Sequence, residues 1–385
     1  MKFDTKLPAL MLALALMLPP VANADVLDFF KSDKLTNGSQ FAFVPSAAEE
    51  TIIAIDTLEH KVAAKITISH VAHSVVASEE LDLLFATDPD SESVTIINLY
   101  TREVIRELNI GMRPDAALLN PFDRFVAFGS NDGSVSIWDM FTFEQVLRAD
   151  GLGPALSMTF GFDGGKLYVV DPSRKVISII DLAQRKKVAE IDLGGEPDAD
   201  AQVSAMSRSA DGYTGYVAVT SENRVVVLDL IDGTVKESVP VGKDPIRPYS
   251  TADNRYVLVP NSGDKTLTVL SVLSKQVLAT ISTNVTAREI NTGWLDTVAF
   301  IMPAVGNNIG VVDLGKLKPL DPIRLPGRTD DGIVTSDSKT LLTAIIDTGQ
   351  IAAINARSHE LETLIDTGVT TLEGIEIAVS NNVCH

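Results

Sequence analysis

The chain has 385 residues, of which 45% are hydrophobic but only 6% aromatic, and its formal net charge is −19. That charge argues against nucleic acid as a ligand, because phosphate neutralisation needs clustered Lys and Arg. Cys384 is the single cysteine, so no internal disulfide can form and stability must come from aliphatic packing and strand closure.

The first element is a leader. Lys2 and Lys6 precede an uncharged apolar run from Leu7 to Leu18, then Pro19 and Pro20, then Ala22-Asn23-Ala24. A positive start, a short apolar core and an A-x-A site predict a secretory signal over residues 1–24. The mature chain then starts near Asp25 in a periplasmic or secreted setting. No later stretch is long and apolar enough for a membrane-spanning helix, so the mature protein is not expected to be integral to the membrane.

From residue 41 onwards one pattern recurs: an apolar strand ending in Asp, Asn or Ser, a short polar turn, then another alternating strand. The strand ends are Asp56, Asn98, Asp139, Asp181, Asp229, Ser271, Asp313 and Asn355, spaced 42, 41, 42, 48, 42, 42 and 42 residues apart. Eight anchors at that period predict eight repeats. Around Asp181 each repeat resolves into four short strands, Ala155 to Phe162, Lys166 to Val170, Val176 to Ile180 and Val188 to Leu193, separated by Gly, Asp, Pro and Ser turns. Four antiparallel strands per forty-odd residues predict an all-β, eight-bladed propeller over residues 25–385 as one domain. The first repeat lacks a first strand, whereas Gly374 to Ser380 reads as a lone one, so the C-terminal strand is expected to complete the N-terminal blade and close the ring. The anchor Asp and Asn side chains are expected to cap turns, not to catalyse.

Leu167-Tyr168-Val169-Val170 with Val176 through Asp181 resembles the YVTN type of β-propeller repeat, as do Tyr256 to Ser262 with Leu267 to Leu270, and Val239 to Val241 with Gly242-Lys243-Asp244-Pro245. The resemblance covers essentially the whole mature chain. It implies a surface-layer or periplasmic binding propeller. Eight-bladed relatives include the haem d1 domain of cytochrome cd1 nitrite reductase and the periplasmic propeller of haem d1 biosynthesis, which implies His on the inter-blade face and basic partners for haem carboxylates. A C-x-x-C-H attachment motif is absent from the sequence, unlike a complete nitrite reductase.

In such a fold the segments between blades share one face with the turns joining second and third strands. They carry His70 and His73, Arg113 and Asp115, Glu196, Asp198 and Asp200, Lys243, Asp244 and Arg247, Arg288 and Glu289, Arg328, Asp330 and Asp331, and Glu373. Of these, Arg113, Asp115, Asp198, Arg247, Arg288, Arg328 and Asp331 are the expected binding residues for a small polar ligand or a partner protein. His70 and His73 are the candidate ligands for a transition metal or an axial haem iron, should the protein carry either; the primary expectation is no cofactor. His60 and His359 fall on the opposite turns and read as solvated. Asp88-Pro89-Asp90-Ser91-Glu92 alternates oxygen donors but lacks the glycine and distal Glu of a calcium loop, so it reads as an acidic turn. Trp138, just before an anchor, is expected to pack between blades. No G-x-S-x-G elbow, phosphate loop or H-E-x-x-H motif occurs, although carboxylates gathered from distant blades leave no local motif. The expected function is therefore a non-catalytic binding or scaffold propeller, with a haem d1-related or metal accessory role as the alternative.

Overall fold

The computed structural model describes residues 40–195 and 202–377. Every described residue belongs to one compact unit. The expected signal segment, Glu196, Asp198, Asp200 and Cys384 lie outside the described residues.

Eight four-stranded antiparallel sheets are arranged as blades in a ring, numbered 1 to 8 in chain order from the one that holds Phe41–Pro45 to the one that holds Leu361–Asp366. The predicted strand boundaries around Asp181 shift by a few residues. The inner strand shortens to Met158–Phe160, followed by Lys166–Asp171, Val176–Asp181 and an outer strand Lys186–Asp192. Inner strands are the short ones, down to Ser207–Arg208 and Tyr249–Ser250, because blades converge there and leave little length to pair. The second and third strands are buried throughout, whereas outer strands such as Glu103–Asn109 face solvent along almost every residue. The anchors terminate the third strands, and their side chains accept amide hydrogens two or three residues on, from Asp56 round to Asn355. They are turn caps, as their spacing implied.

The ring closes as expected. Glu376–Ile377 pairs antiparallel with Phe41–Pro45, placing Ile377 opposite Ala42 and Glu376 opposite Phe43. This strand is the innermost of blade 1, so the first and last parts of the described chain share one sheet. Alternation along the second strand then sends side chains to both neighbours: Phe41 and Phe43 join a core with blade 2, and Ala42 and Val44 join one with blade 8. Among the described residues one apolar cluster fills each of the eight blade interfaces. Stability is thus spread round the ring as sheet-on-sheet packing of Val, Ile, Leu and Ala. Trp138 packs into the cluster between blades 2 and 3, with its indole N–H donated to Ser136 Oγ at 2.7 Å.

On the face away from the inter-blade segments, the turns between first and second strands are stapled to their neighbours. Asn120 Nδ2 donates to Gly164 O at 2.9 Å, Asn254 Nδ2 to Asp211 Oδ2 at 3.1 Å, the Asp253 amide to Asp296 Oδ2 at 3.0 Å and the Leu295 amide to Ser338 Oγ at 3.1 Å. No helix of the described residues is long and apolar enough to cross a membrane.

Candidate functional site

The inner strands of blades 7 and 8, Ala287–Gly293 and Thr329–Val334, are longer than their counterparts in the other blades, and each carries a register shift, between Ala287 and Glu289 and between Thr329 and Gly332. A bulge inserts an unpaired residue and re-aims its side chain. Here the bulges hold Arg288 and Asp331, and these two bond across the blade boundary, Nε to Oδ1, at 2.9 Å. Glu289, next to the bulge, accepts from Asn291 Nδ2 at 2.7 Å, while the same nitrogen reaches Gly332 O at 3.1 Å.

Two further groups complete the cluster. Arg247 lies just before the inner strand of blade 6 and acts electrostatically on Glu289. Glu376 sits on the closing strand of blade 1 and feels the charge of Asp331. Arg247, Glu289 and Asp331 are 42 residues apart in succession, one repeat period each, so they hold equivalent positions on three consecutive blades. Five ionisable groups from blades 6, 7, 8 and 1 therefore act on one another at the inner strands, which surround the central channel of the ring.

Their protonation follows from this crowding. Burial is the main force raising the pKa of Glu289, with the Asp331 carboxylate adding repulsion and a hydrogen bond that favours the protonated acid; Arg247 opposes the rise. Burial, then Asp331, pushes Glu376 up to about 8. Near neutral pH both Glu289 and Glu376 are therefore biased towards the protonated acid, beside the guanidiniums of Arg247 and Arg288. Such a site offers O–H donors, carboxylate acceptors and planar guanidinium forks to a polar ligand.

The other expected residues that are described lie in separate pairs on blades 8, 1, 2 and 3. His73 Nδ1 lies 2.9 Å from Glu373 Oε1, across the boundary of blades 2 and 1, and His70 Nδ1 lies 3.8 Å from Asp88 Oδ2. Arg113 stands 3.6 Å from both Asp90 and Asp115, and Asp115 Oδ2 accepts the Asn131 amide at 2.8 Å. Arg328 pairs within its own blade, its amide donating to Asp347 Oδ1 at 3.2 Å. Asp88 caps its own turn by accepting the amides of Asp90 and Ser91, so the 88–92 segment is an ordinary acidic turn.

For a metal or a tetrapyrrole the relevant donors are His70 and His73. A histidine whose Nδ1 hydrogen is held by a carboxylate presents Nε2 for ligation, with ring orientation fixed. His73 Nδ1 lies within ion-pair distance of Glu373, which leaves Nε2 as the nitrogen that could serve an axial position. No group of three or more His, Cys, Asp or Glu is arranged to hold a metal ion among the described residues.

Sequence reasoning grouped Arg247, Arg288 and Asp331 with the inter-blade segments without specifying which of them meet. It missed Glu289 as a site member and read Glu376 only as part of a strand. The available signal was a lone carboxyl between Ile375 and Ile377 in the strand expected to be innermost, together with the 42-residue spacing. His60 and His359 are less solvated than expected. His60 is half-buried, 3.8 Å from Glu362, and His359 packs edge-on to Phe300.

No family model and no curated protein sequence matches the chain. Solved structures do. Dihydro-heme d1 dehydrogenase NirN in complex with DHE aligns with a TM-score of 0.72 at 17% identity, over 90% of this chain and 76% of that one. Apo AztD from Citrobacter koseri aligns with a TM-score of 0.64 at 14% identity, over 88% and 97% of the two chains. Hydrazine synthase of Kuenenia stuttgartiensis aligns with a TM-score of 0.54 at 17% identity, over 77% and 96%. The likeness is one of fold: the chain is an eight-bladed propeller similar in architecture to dihydro-heme d1 dehydrogenase NirN and to AztD.

Proposed function

We propose that the protein is a non-catalytic binding propeller of an extracytoplasmic compartment, which engages a small polar ligand or a partner protein at its inter-blade face. The observation that carries this reading is the convergence of Arg247, Arg288, Glu289, Asp331 and Glu376 on the channel, with bulges in two adjacent blades. Structural ion pairing alone does not need two bulged, lengthened inner strands, since bulges are conformational devices that interrupt a ladder. The compartment rests on the leader-like residues 1–24. The test compares wild type with an Arg247→Gln/Arg288→Gln/Asp331→Asn variant, both immobilised and exposed to a periplasmic extract, with bound material identified by mass spectrometry. Retention of a defined species by wild type alone is the expected result. Equal retention by the variant, or turnover of a substrate by isolated wild type, overturns the proposal.

A second reading is favoured by the His73–Glu373 geometry: an accessory protein that takes up a tetrapyrrole or a transition metal through His73, with His70 nearby in sequence. Its support includes the likeness in fold to NirN, solved in complex with DHE. A bound tetrapyrrole would supply redox or carrier chemistry, while the protein's own part is to fix the imidazole and exclude competing ligands. Hemin added to the mature protein should give a shifted Soret band that His73→Ala removes. An unshifted band, or one the variant retains, eliminates this reading.

A further inference from the structure

The face opposite the inter-blade segments carries a concavity that neither reading uses. It lies between blades 7 and 8, has a volume of about 180 Å³, and is lined by Trp294, Val298, Asp313, Leu320, Arg357 and His359 among others.

Its wall is built from an unusual backbone. Trp294, Leu295 and Asp296 are three consecutive non-glycine residues at positive φ, 49°, 57° and 57°. L-residues enter that region at a steric cost, and runs of them are rarer still. The surroundings hold the turn in place. The Trp294 amide donates to Ser338 O at 2.7 Å, the Leu295 amide to Ser338 Oγ at 3.1 Å, and the buried Asp296 accepts from the Asp253 amide at 3.0 Å. Over-determined strain of this kind clusters at ligand clamps. The consequence here is an indole presented at the blade boundary.

The chemistry of the lining is specific. The Arg357 guanidinium lies over the Trp294 ring, 5.0 Å from its centroid. His359 packs edge-on against Phe300 at 6.3 Å, and burial lowers its pKa, so at neutral pH it is uncharged and has one N–H to donate. Two ionised groups line the cavity. Asp313 is matched by Lys316, whose Nζ and amide both reach it at 2.8 Å. The Arg357 side chain has no carboxylate within ion-pair distance among the described residues, so the unmatched charge is positive. A guanidinium stacked on an indole keeps its in-plane N–H fork available for a carboxylate. Val298 and Leu320 add apolar surface, and the volume compares with the roughly 150 Å³ cavity that admits one benzene ring.

We infer that this cavity binds a small monocyclic carboxylate of the benzoate class, its ring against Trp294, Val298 and Leu320 and its carboxylate on the Arg357 fork with His359 as second donor. The site is independent of the channel cluster and of the function proposed for it.

Titration calorimetry with benzoate on the full chain tests the inference. Saturable binding is expected, with a dissociation constant of about 0.1–1 mM, and benzamide, which has the same shape without the charge, should bind at least about tenfold more weakly. Arg357 is exposed, so Arg357→Gln opens no core, and it should weaken benzoate at least about tenfold while leaving the thermal midpoint in place. The triple channel variant leaves this face intact and should bind benzoate as wild type does, which separates failure here from failure of the proposed function. Absence of saturable benzoate binding by wild type, equal affinity for benzamide, or unchanged affinity in Arg357→Gln overturns the inference.

Discussion

Replacing Glu376 by glutamine isolates the electrostatics of the channel. The side chain sits on the closing strand between buried Ile375 and Ile377, opposite Phe43. Burial and the Asp331 carboxylate raise its pKa from 4.5 to about 8. Between those values the unfolded chain has released the proton and the folded chain still holds it. Fewer protons bound in the unfolded state mean that stability falls as pH rises through this window and levels off above the folded pKa. The full displacement, about 3.5 pH units at about 1.4 kcal/mol each, amounts to about 5 kcal/mol. Glu376 is only partly buried, so solvent screening reduces the expected effect to about 2 kcal/mol. Glutamine keeps the shape and removes the titration. In urea unfolding, Glu376→Gln and wild type should coincide at about pH 4.5, and the variant should be about 2 kcal/mol more stable by about pH 8.5, with unchanged denaturant slopes. A gap that does not vary with pH, or a variant less stable than wild type at the alkaline end, would refute the reasoning.

Three further expectations follow from neighbouring contacts. Asp331→Asn removes the charge that helps to raise both Glu289 and Glu376, so the alkaline loss of stability in the same urea series should shrink even though the Arg288 ion pair is gone. Lys175 is buried and donates to Glu222 at 2.6 Å across blades 4 and 5, so Glu222→Gln strands an ammonium and should lower stability by about 2 kcal/mol by calorimetry, discounted from a fully buried pair because Glu222 reaches solvent. The Lys175 hydrogen bond is the largest cause holding the Glu222 pKa below its ordinary value, so that stabilisation is present above the ordinary glutamate range and fades as pH falls through it. Gly349, at φ 67°, has Val369 O only 1.8 Å from where a Cβ would lie, whereas Gly151, at φ 72°, has nothing within 4 Å. Gly349→Ala should therefore cost more than about 3 kcal/mol in thermal unfolding and Gly151→Ala about 1 kcal/mol.

The fold was legible because every repeat announces its third strand by an anchor that caps the next turn. Asp56, Asp139 and Asp229 each accept two amide hydrogens, and that local chemistry does not depend on the rest of the ring. Ring closure was legible for a similar reason, since an unpaired first strand at one end matched a missing one at the other. Inner strands were less legible. Only Met158–Phe160 of the predicted Ala155–Phe162 pairs, because strand length near the axis is limited by convergence of the blades, a tertiary constraint with no trace in local propensity. His359 was misread on the same ground. A turn position implies solvent, but Phe300 of the adjacent blade covers one side of the ring.

The site shows where a repeat conceals function and where it reveals it. Each of its residues, taken alone, is an ordinary charge near a loop, and nothing local distinguishes Arg247 from Lys243. Periodicity supplies the missing relation. In a propeller, residues one period apart become neighbours at the channel, so Arg247, Glu289 and Asp331, at intervals of 42, must crowd together whatever the loops between them do. His73 and Asp115 share the same interval on blades 2 and 3. A position that only capped a turn would keep one residue type round the ring, as the Asp and Asn anchors nearly do. Here the residue type varies instead: Arg247 gives way to Glu289 and Asp331, like charges that repel while Arg288 pairs with Asp331, and both carboxyls lie at or beside bulges that the other inner strands lack among the described residues. Aligning repeats by their anchors and asking which inner-strand positions vary in charge would thus have located Glu289 as well as Asp331. Glu376 would still have needed the closure of the ring, because it joins the channel from a strand that belongs in sequence to the last repeat and in space to the first blade.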